Sequence, residues 1–251
     1  MASTSELAKY LDDYLRVREI GDWPNALNGL QLENSGRVEK IGAAVDVSSR
    51  VLAEASERGI TFLVVHHGLF WPGLRPIVGP FRKQIAIAFE HDVAIYSAHL
   101  PLDLHPIVGN NALVAASLGL TETEPFFEAK GQLVGLKATL AISREDLIRR
   151  LKNSLGGEVK AFSHGPATTG SIGIITGAAA DEIYSIAKDG IDTFITGEAP
   201  HWAAVAAEEL GMNLLLGGHY ATETFGVKAV AAHLSETFKV PWEFIDAPTS
   251  L

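Results

Sequence analysis

Apolar positions along the chain follow two periods in turn. Leu7, Tyr10, Leu11, Tyr14 and Leu15 repeat at i, i+3 and i+4, the stripe of a helix with one buried face. Ser3-x-x-Glu6 opens it in the form of a capping box. Ile41 to Val47 is a short apolar run of strand length. Ser48 to Arg58 returns to helical spacing through Val51, Leu52 and Ala55, and Ile60 to Val65 is a second buried-strand run. Gln84 to His91 reads as helix, Val93 to Tyr96 as strand and Asn110 to Leu118 as helix. From Thr121 to Lys130 the pattern lapses into Glu, Thr and Pro, which predicts a boundary. Gln132 to Ala141 then reads as strand, and Ser143-x-x-Asp146 starts a helix through Asn153 that Gly156-Gly157 closes. The alternation predicts an α/β protein with mixed sheets and flanking helices.

The alternation also repeats. Sliding the sequence by 131 positions places Ile41-Gly42 on Ile172-Gly173, Gly59-Ile60 on Gly190-Ile191 and Trp71 on Trp202. Further on, His99-Leu100-Pro101-Leu102-Asp103 meets His219-Tyr220-Ala221-Thr222-Glu223 at an offset of 120. The shorter offset fits the loop Pro72 to Pro80, which has no counterpart after Trp202. Two similar α/β halves from an internal duplication are expected, residues 1–125 and 126–251, each with polar residues at equivalent strand ends. Chance similarity between two βαβ units is the alternative.

Composition narrows the chemistry. The chain of 251 residues has no cysteine, which excludes disulfides, thiolate zinc sites, iron–sulfur clusters and a cysteine nucleophile. It carries 9 histidines, and 30 acidic against 20 basic residues give a net charge of −10. A metal here must be held by imidazole and carboxylate, and a phosphate backbone meets a repelling field. Lys and Arg are dispersed, so no nucleic-acid footprint is seen. No apolar run approaches the ~18 residues of a membrane span, and the polar start Met1-Ala2-Ser3-Thr4-Ser5-Glu6 reads as no targeting signal. A cytoplasmic protein with no membrane partner is expected.

Three clusters carry the candidate chemistry. Val64-Val65-His66-His67-Gly68 is an apolar strand ending in two histidines, and ligands of α/β sheets gather at the carboxyl ends of strands. Neighbouring side chains on a strand face opposite ways, so both rings serve one site only if the backbone leaves the strand there, a turn that Gly68 permits. Such a pair is also met as one buried and one surface histidine. His99-x-x-x-Asp103 and His219-x-x-x-Glu223 each place two ligand types on one face if the chain is helical, although single pairs of this kind also occur as surface ion pairs. Four histidines and two carboxylates exceed what one tetrahedral zinc needs and suit two metals sharing a bridging group. Zn, Fe, Mn, Co and Ni all remain open. Glu198 and His201, in Thr196-Gly197-Glu198-Ala199-Pro200-His201-Trp202, read as groups that orient ligands, as an acid/base pair, or as a charge at a helix N-terminus with a helix-start proline. His91, His105, His164 and His233 lack comparable context.

Five motifs in order, Asn28-Gly29-Leu30-Gln31, His66 to Trp71, His99 to Asp103 with Gly109-Asn110-Asn111, Thr196-Gly197-Glu198-x-x-His201 and Gly218 to Glu223, resemble the NGG-interacting-factor-like family of dinuclear-metal proteins, also labelled GTP cyclohydrolase 1 type 2 homologues. The resemblance runs from about Asn28 to Val227 and implies two divalent ions per chain on His66, His67, Asp103, His219 and Glu223, with Glu223 the bridge. His99 lies beside the metals as a proton-transfer candidate. It also implies a toroidal homohexamer, in the short bacterial form without an inserted domain. Many relatives have proline where this chain has Gly68. The function expected is metal-dependent hydrolysis of a small molecule, with GTP ring opening suggested by the label. A non-enzymatic ring-shaped metal-binding protein is the alternative, and encirclement of nucleic acid is a third reading that the charge counts against.

Overall fold

The computed structural model describes residues 2–249; Met1 and residues 250 and 251, at the outer ends of the expected halves, lie outside it. Helix α1 (Thr4–Tyr14) opens on Ser3, whose hydroxyl accepts from the Glu6 N–H at 3.2 Å while the Glu6 carboxylate accepts from the Ser3 N–H at 2.8 Å. This is the expected capping box. In chain order follow β1 (Gly29–Leu32), β2 (Ile41–Asp46), α2 (Ser49–Glu57), β3 (Phe62–His67), α3 (Gly79–Glu90), β4 (Ala94–Ser97), the short α4 (Leu100–Asp103) and α5 (Asn110–Ser117). Then come β5 (Glu124–Ala129), β6 (Gln132–Thr139), α6 (Arg144–Leu155), β7 (Lys160–Ser163), β8 (Ser171–Ile174) and α7 (Ile183–Lys188). The chain continues through β9 (Thr193–Thr196), α8 (His201–Leu210), β10 (Asn213–Leu216), α9 (His219–Phe238) and β11 (Trp242–Phe244). The fold is mixed α/β, with two mixed sheets and flanking helices.

Two compact units divide the chain. One holds the residues up to Leu102 with Gly226–Ala247, the other chiefly Asp103–Phe225, so the boundaries fall inside α4 and α9. This differs from halves that meet at 125/126. The physical reason is that the end of the chain returns to the first sheet: β11 pairs parallel to β2, with Trp242 opposite Ile41.

The first unit has strand order β1-β4-β3-β2-β11. β2, β3 and β4 are parallel, and β1 closes the edge antiparallel to β4. Every residue of β3 and β4 is buried, as expected of parallel strands covered on both faces. Val51, Leu52 and Ala55 of α2 pack with Leu63, Val65, Ile95 and Ile245 in one apolar cluster.

The second unit has the order β5-β6-β8-β9-β10-β7. β8, β9 and β10 are parallel, and β7 is antiparallel on β10 as β1 is on β4. Val114 and Leu118 from α5 with Leu147 and Leu151 from α6 cover Ile172, Ile174 and Ile195. The sequence repeat is a repeat of register. Ile41 faces Phe62 across β2 and β3, and Ile172 faces Thr193 across β8 and β9, both pairs related by the offset of 131.

Some elements depart from the expected pattern. Thr121 to Lys130 is no boundary: Glu124 to Ala129 is a strand in a hairpin with β6, turned at Lys130 and Gly131, both at positive φ (53° and 79°). Only Phe126 of that edge strand is buried, so its outward residues carry no apolar signal. α3 begins at Gly79, with Pro80 in its first turn, earlier than the apolar spacing indicates.

The C-terminal strand is structural rather than appended, since Ile245 is fully buried in the first unit's core. Ile245→Ala should lower unfolding stability by about 2–5 kcal/mol, read from urea melts; a change below about 0.5 kcal/mol would place the residue outside the cooperative core.

Candidate functional site

In each unit the parallel strands deliver polar residues to their carboxyl ends. In the first, Asp46 at the end of β2 stands in register with His67 at the end of β3, and His99 follows β4. His66, His67 and His99 are buried, with ligand nitrogens that all lie within 4.8 Å of one another. Each ring has an oxygen at Nδ1. The His66 Nδ1–H donates to the Ala98 carbonyl at 2.9 Å, His67 to Asp46 Oδ1 at 2.9 Å and His99 to Asp22 Oδ1 at 3.0 Å. An acceptor at Nδ1 fixes the proton there and leaves the Nε2 lone pair for a cation.

The segment from Asp22 to Gln31 braces this cluster. The Asp22 side chain is buried, and its Oδ2 accepts from the Leu100 N–H at 2.9 Å and from Asn28 Nδ2 at 2.8 Å. Asn28 Oδ1 accepts from the His99 N–H at 2.7 Å. Burial alone would raise the Asp22 carboxyl, but the hydrogen bond and charge of His99, with bonds from Asn28 and the Trp23 N–H, hold it below the usual carboxylate range. Trp71 lies 4.7 Å from the His67 ring and 4.4 Å from His99, and Trp23 meets His99 edge-on at 5.7 Å. Gly68 is not at positive φ, and β3 runs on through both histidines. The chain leaves the strand at Gly68 as expected, where the Trp71 N–H donates to the Gly68 carbonyl at 3.2 Å, but it does so after both histidines and without a left-handed φ. The Gln31 carboxamide lies where a Cβ on residue 68 would sit, so a side chain there would displace it; its Oε1 accepts from the Leu69 N–H at 2.7 Å.

In the second unit Thr176 and Gly177 follow β8, Glu198 follows β9 and His219 follows β10. Asp103 is buried and accepts from Asn110 Nδ2 at 2.8 Å and Thr176 Oγ1 at 3.4 Å. His219 and Glu223 share one face of α9, with Nε2 and Oε1 3.2 Å apart. Glu198 Oε1 sits 3.1 Å from His219 Nδ1. Burial lowers the His219 pKa, but the hydrogen bonds and charges of Glu223 and Glu198 outweigh it and raise it to about 9. Gly177, at φ +71°, passes so close to Glu223 that a Cβ would overlap Oε1. His201 is the exposed first residue of α8.

Within the first unit His66, His67 and His99 lie together; within the second, His219 lies with Glu223 and Glu198, and Asp103 lies against Asn110 and Thr176. Asp22, Asp46, Trp23 and Gly177 were not singled out by pattern. Asp46 closes an apolar run as His67 does, which is a usable signal; Asp22 lies in an aperiodic loop and offers none. Imidazoles with Nε2 lone pairs and buried carboxylates form a donor set that fits divalent N/O-binding cations.

A family model described as Duf34/NIF3 (NGG1p interacting factor 3) matches residues 2–250. A protein of Deinococcus radiodurans named GTP cyclohydrolase 1 type 2 homolog is 39% identical over 249 residues, covering 98% of this chain and 94% of its own. A protein of that name from Halobacterium salinarum is 38% identical over 253 residues, covering 98% and 99%. The crystal structure of TTHA1606 from Thermus thermophilus superposes with a TM-score of 0.90 at 37% identity, over 99% of this chain and 100% of that one.

The Asp22 carboxylate predicts a pH signature. A carboxyl held low in the folded state stabilises above its unfolded pKa, near 4, and loses that contribution as pH falls through the folded value. Asp22→Asn should cost about 1–3 kcal/mol at about pH 7, and the difference from the parent should shrink toward about pH 3. Urea melts at both pH values check this, and an equal difference at the two would show that the anion is not what stabilises.

Proposed function

The chain belongs to the Duf34/NIF3 family, and from that premise we propose that it is a hydrolase dependent on two divalent metal ions. His66, His67, Asp103, His219 and Glu223 would hold them, with the Glu223 carboxylate shared between the two. One observation carries the reading: the three histidines of the set each have Nδ1 against an oxygen, a carbonyl for His66 and carboxylates for His67 and His219, the support that orients imidazole for coordination through Nε2. Two ions held there supply electrophilic polarisation and an acidified water, which hydrolysis at carbon or phosphorus requires.

The chain's own groups do the rest. His99, its Nδ1–H held by Asp22, exchanges a proton at Nε2 with the reacting groups. Glu198 orients His219, and His201 is a second proton-transfer group. Trp71 and Trp23 shield the His99 ring from water. Curated relatives carry the name GTP cyclohydrolase 1 type 2 homolog, so hydrolytic opening of the GTP imidazole ring is the first reaction to try. The assembly is a cytoplasmic homohexamer, by family resemblance; among the described residues no helix is long and apolar enough to cross a membrane.

Elemental analysis of reconstituted protein should give about two ions per chain, and fewer than about one would sink the dinuclear assignment. Metal-loaded protein should turn over GTP or another nucleotide, phosphoester or amide, and His66→Ala and Glu223→Ala should each lose at least about a hundredfold. Glu198→Gln should weaken metal retention by about 10- to 100-fold. No metal-dependent turnover across that panel would favour a ring-shaped binding protein instead, and a salt-sensitive shift with single-stranded DNA would favour nucleic acid.

A further inference from the structure

We propose that a cleft in the second unit binds a planar heteroaromatic ring bearing N–H donors, stacked on Trp202 and read by the carboxylates of Asp181 and Glu198. The cleft is open on one side and offers about 490 Å³, within the range of small-molecule sites. Trp202, in the first turn of α8, forms part of its wall and is 44% exposed. Tyr184 of α7, outside the wall, stacks on the indole with centroids 6.3 Å apart and planes 7° from parallel. Tyr184 is itself 52% exposed, so the chain holds an indole plane rigid and open to water. A platform fixed before binding loses little side-chain entropy when a ring lands on it.

The repeat sharpens this reading. Trp202 occupies the position of Trp71 in the first half. Trp71 lies over His67 and His99, whereas Gly197 and Glu198 stand where His66 and His67 would be. The second-half indole is kept, but the imidazoles that the first-half indole covers are replaced.

Charge sets the ligand class. The charged side chains in the described lining are Asp181 and Glu198, both acceptors. They favour a ring with N–H donors or positive charge and oppose a phosphate. Glu198 also ties the cleft to the candidate metal ligands, since its Oε1 sits 3.1 Å from His219 Nδ1; a carboxylate has about four acceptor positions, so Glu198 can orient His219 and accept from a ring at once. That the ring belongs to the hydrolysed substrate rests on the metal-hydrolase reading; that the cleft binds it does not.

Equilibrium dialysis with guanosine, which presents N1–H and an amino group on one edge, tests the cleft in metal-loaded and metal-stripped protein, with inorganic phosphate as control. Guanosine should bind in both forms. Trp202→Ala should weaken it about 5- to 150-fold, the range of base–aromatic stacking. Trp202→Phe should restore most of it, and Asp181→Asn or N1-methylation of the ligand should weaken it. Equal guanosine binding by the parent and Trp202→Ala would overturn the proposal. So would phosphate binding that Trp202→Ala abolishes, or a change of oligomeric state in Trp202→Ala by light scattering, which would make the indole a contact between copies. Lost ring binding with two ions per chain retained counts against the cleft alone; retained ring binding without metal uptake counts against the metal reading alone.

Discussion

An imidazole buried at a strand end must have its Nδ1 proton accepted, because an unsatisfied polar group away from water costs on the order of 1–3 kcal/mol. Much of the local architecture follows from that demand. Asp46 is placed by the β2–β3 register, and the Ala98 carbonyl by the bend after β4. Asp22 comes from a loop far away in sequence and is itself satisfied by Asn28 and the Leu100 N–H. Once the acceptors are fixed, the tautomers are fixed, and the three Nε2 atoms are acceptors rather than donors. The same demand at His219 is met by Glu198 from the end of β9.

Close approach is the second consequence. Gln31 supports the turn after His67 from the space that a Cβ on residue 68 would take, and Glu223 lies against backbone at Gly177, which also lacks a Cβ. The two glycines differ in kind. Gly177 sits in the left-handed region and is doubly constrained, whereas Gly68 has ordinary φ and is constrained by space alone. A residue with no side chain is the one whose Cβ position belongs to a ligand-supporting group.

These distinctions explain what could be read from the chain. Buried parallel strands are uniformly apolar, so β2, β3 and β4 stand out, and polar residues that end them stand out in turn: His66, His67 and, less plainly, Asp46. His219 and Glu223 were legible because helical spacing brings i and i+4 together within one element. Asp22 was not, because its partner is 77 positions away and nothing local marks it. β5 was hidden for a related reason: an edge strand with one buried residue carries no alternation. Local periodicity reports burial, and it is silent wherever the partner is distant or the face is wet.

The repeated register carries the argument further. Two parallel βαβ cores with the same strand pairing offer the same three strand ends, so their chemical difference lies in a few substitutions there. Where the first half has adjacent histidines, the second has Gly197 and Glu198. The carboxylate turns to the Nδ1 of a histidine supplied by the next strand end, the role that Asp46 plays for His67. One half thus carries two histidines at the end of the middle strand of its parallel core, and the other carries at that position the acceptor that orients a histidine. Such an exchange of roles requires no change in the fold, because both residues are held at the same height above a sheet whose pairing did not move. It also leaves the second-half tryptophan without imidazoles to cover: Trp71 lies over His67 and His99, whereas Trp202 stays 44% exposed.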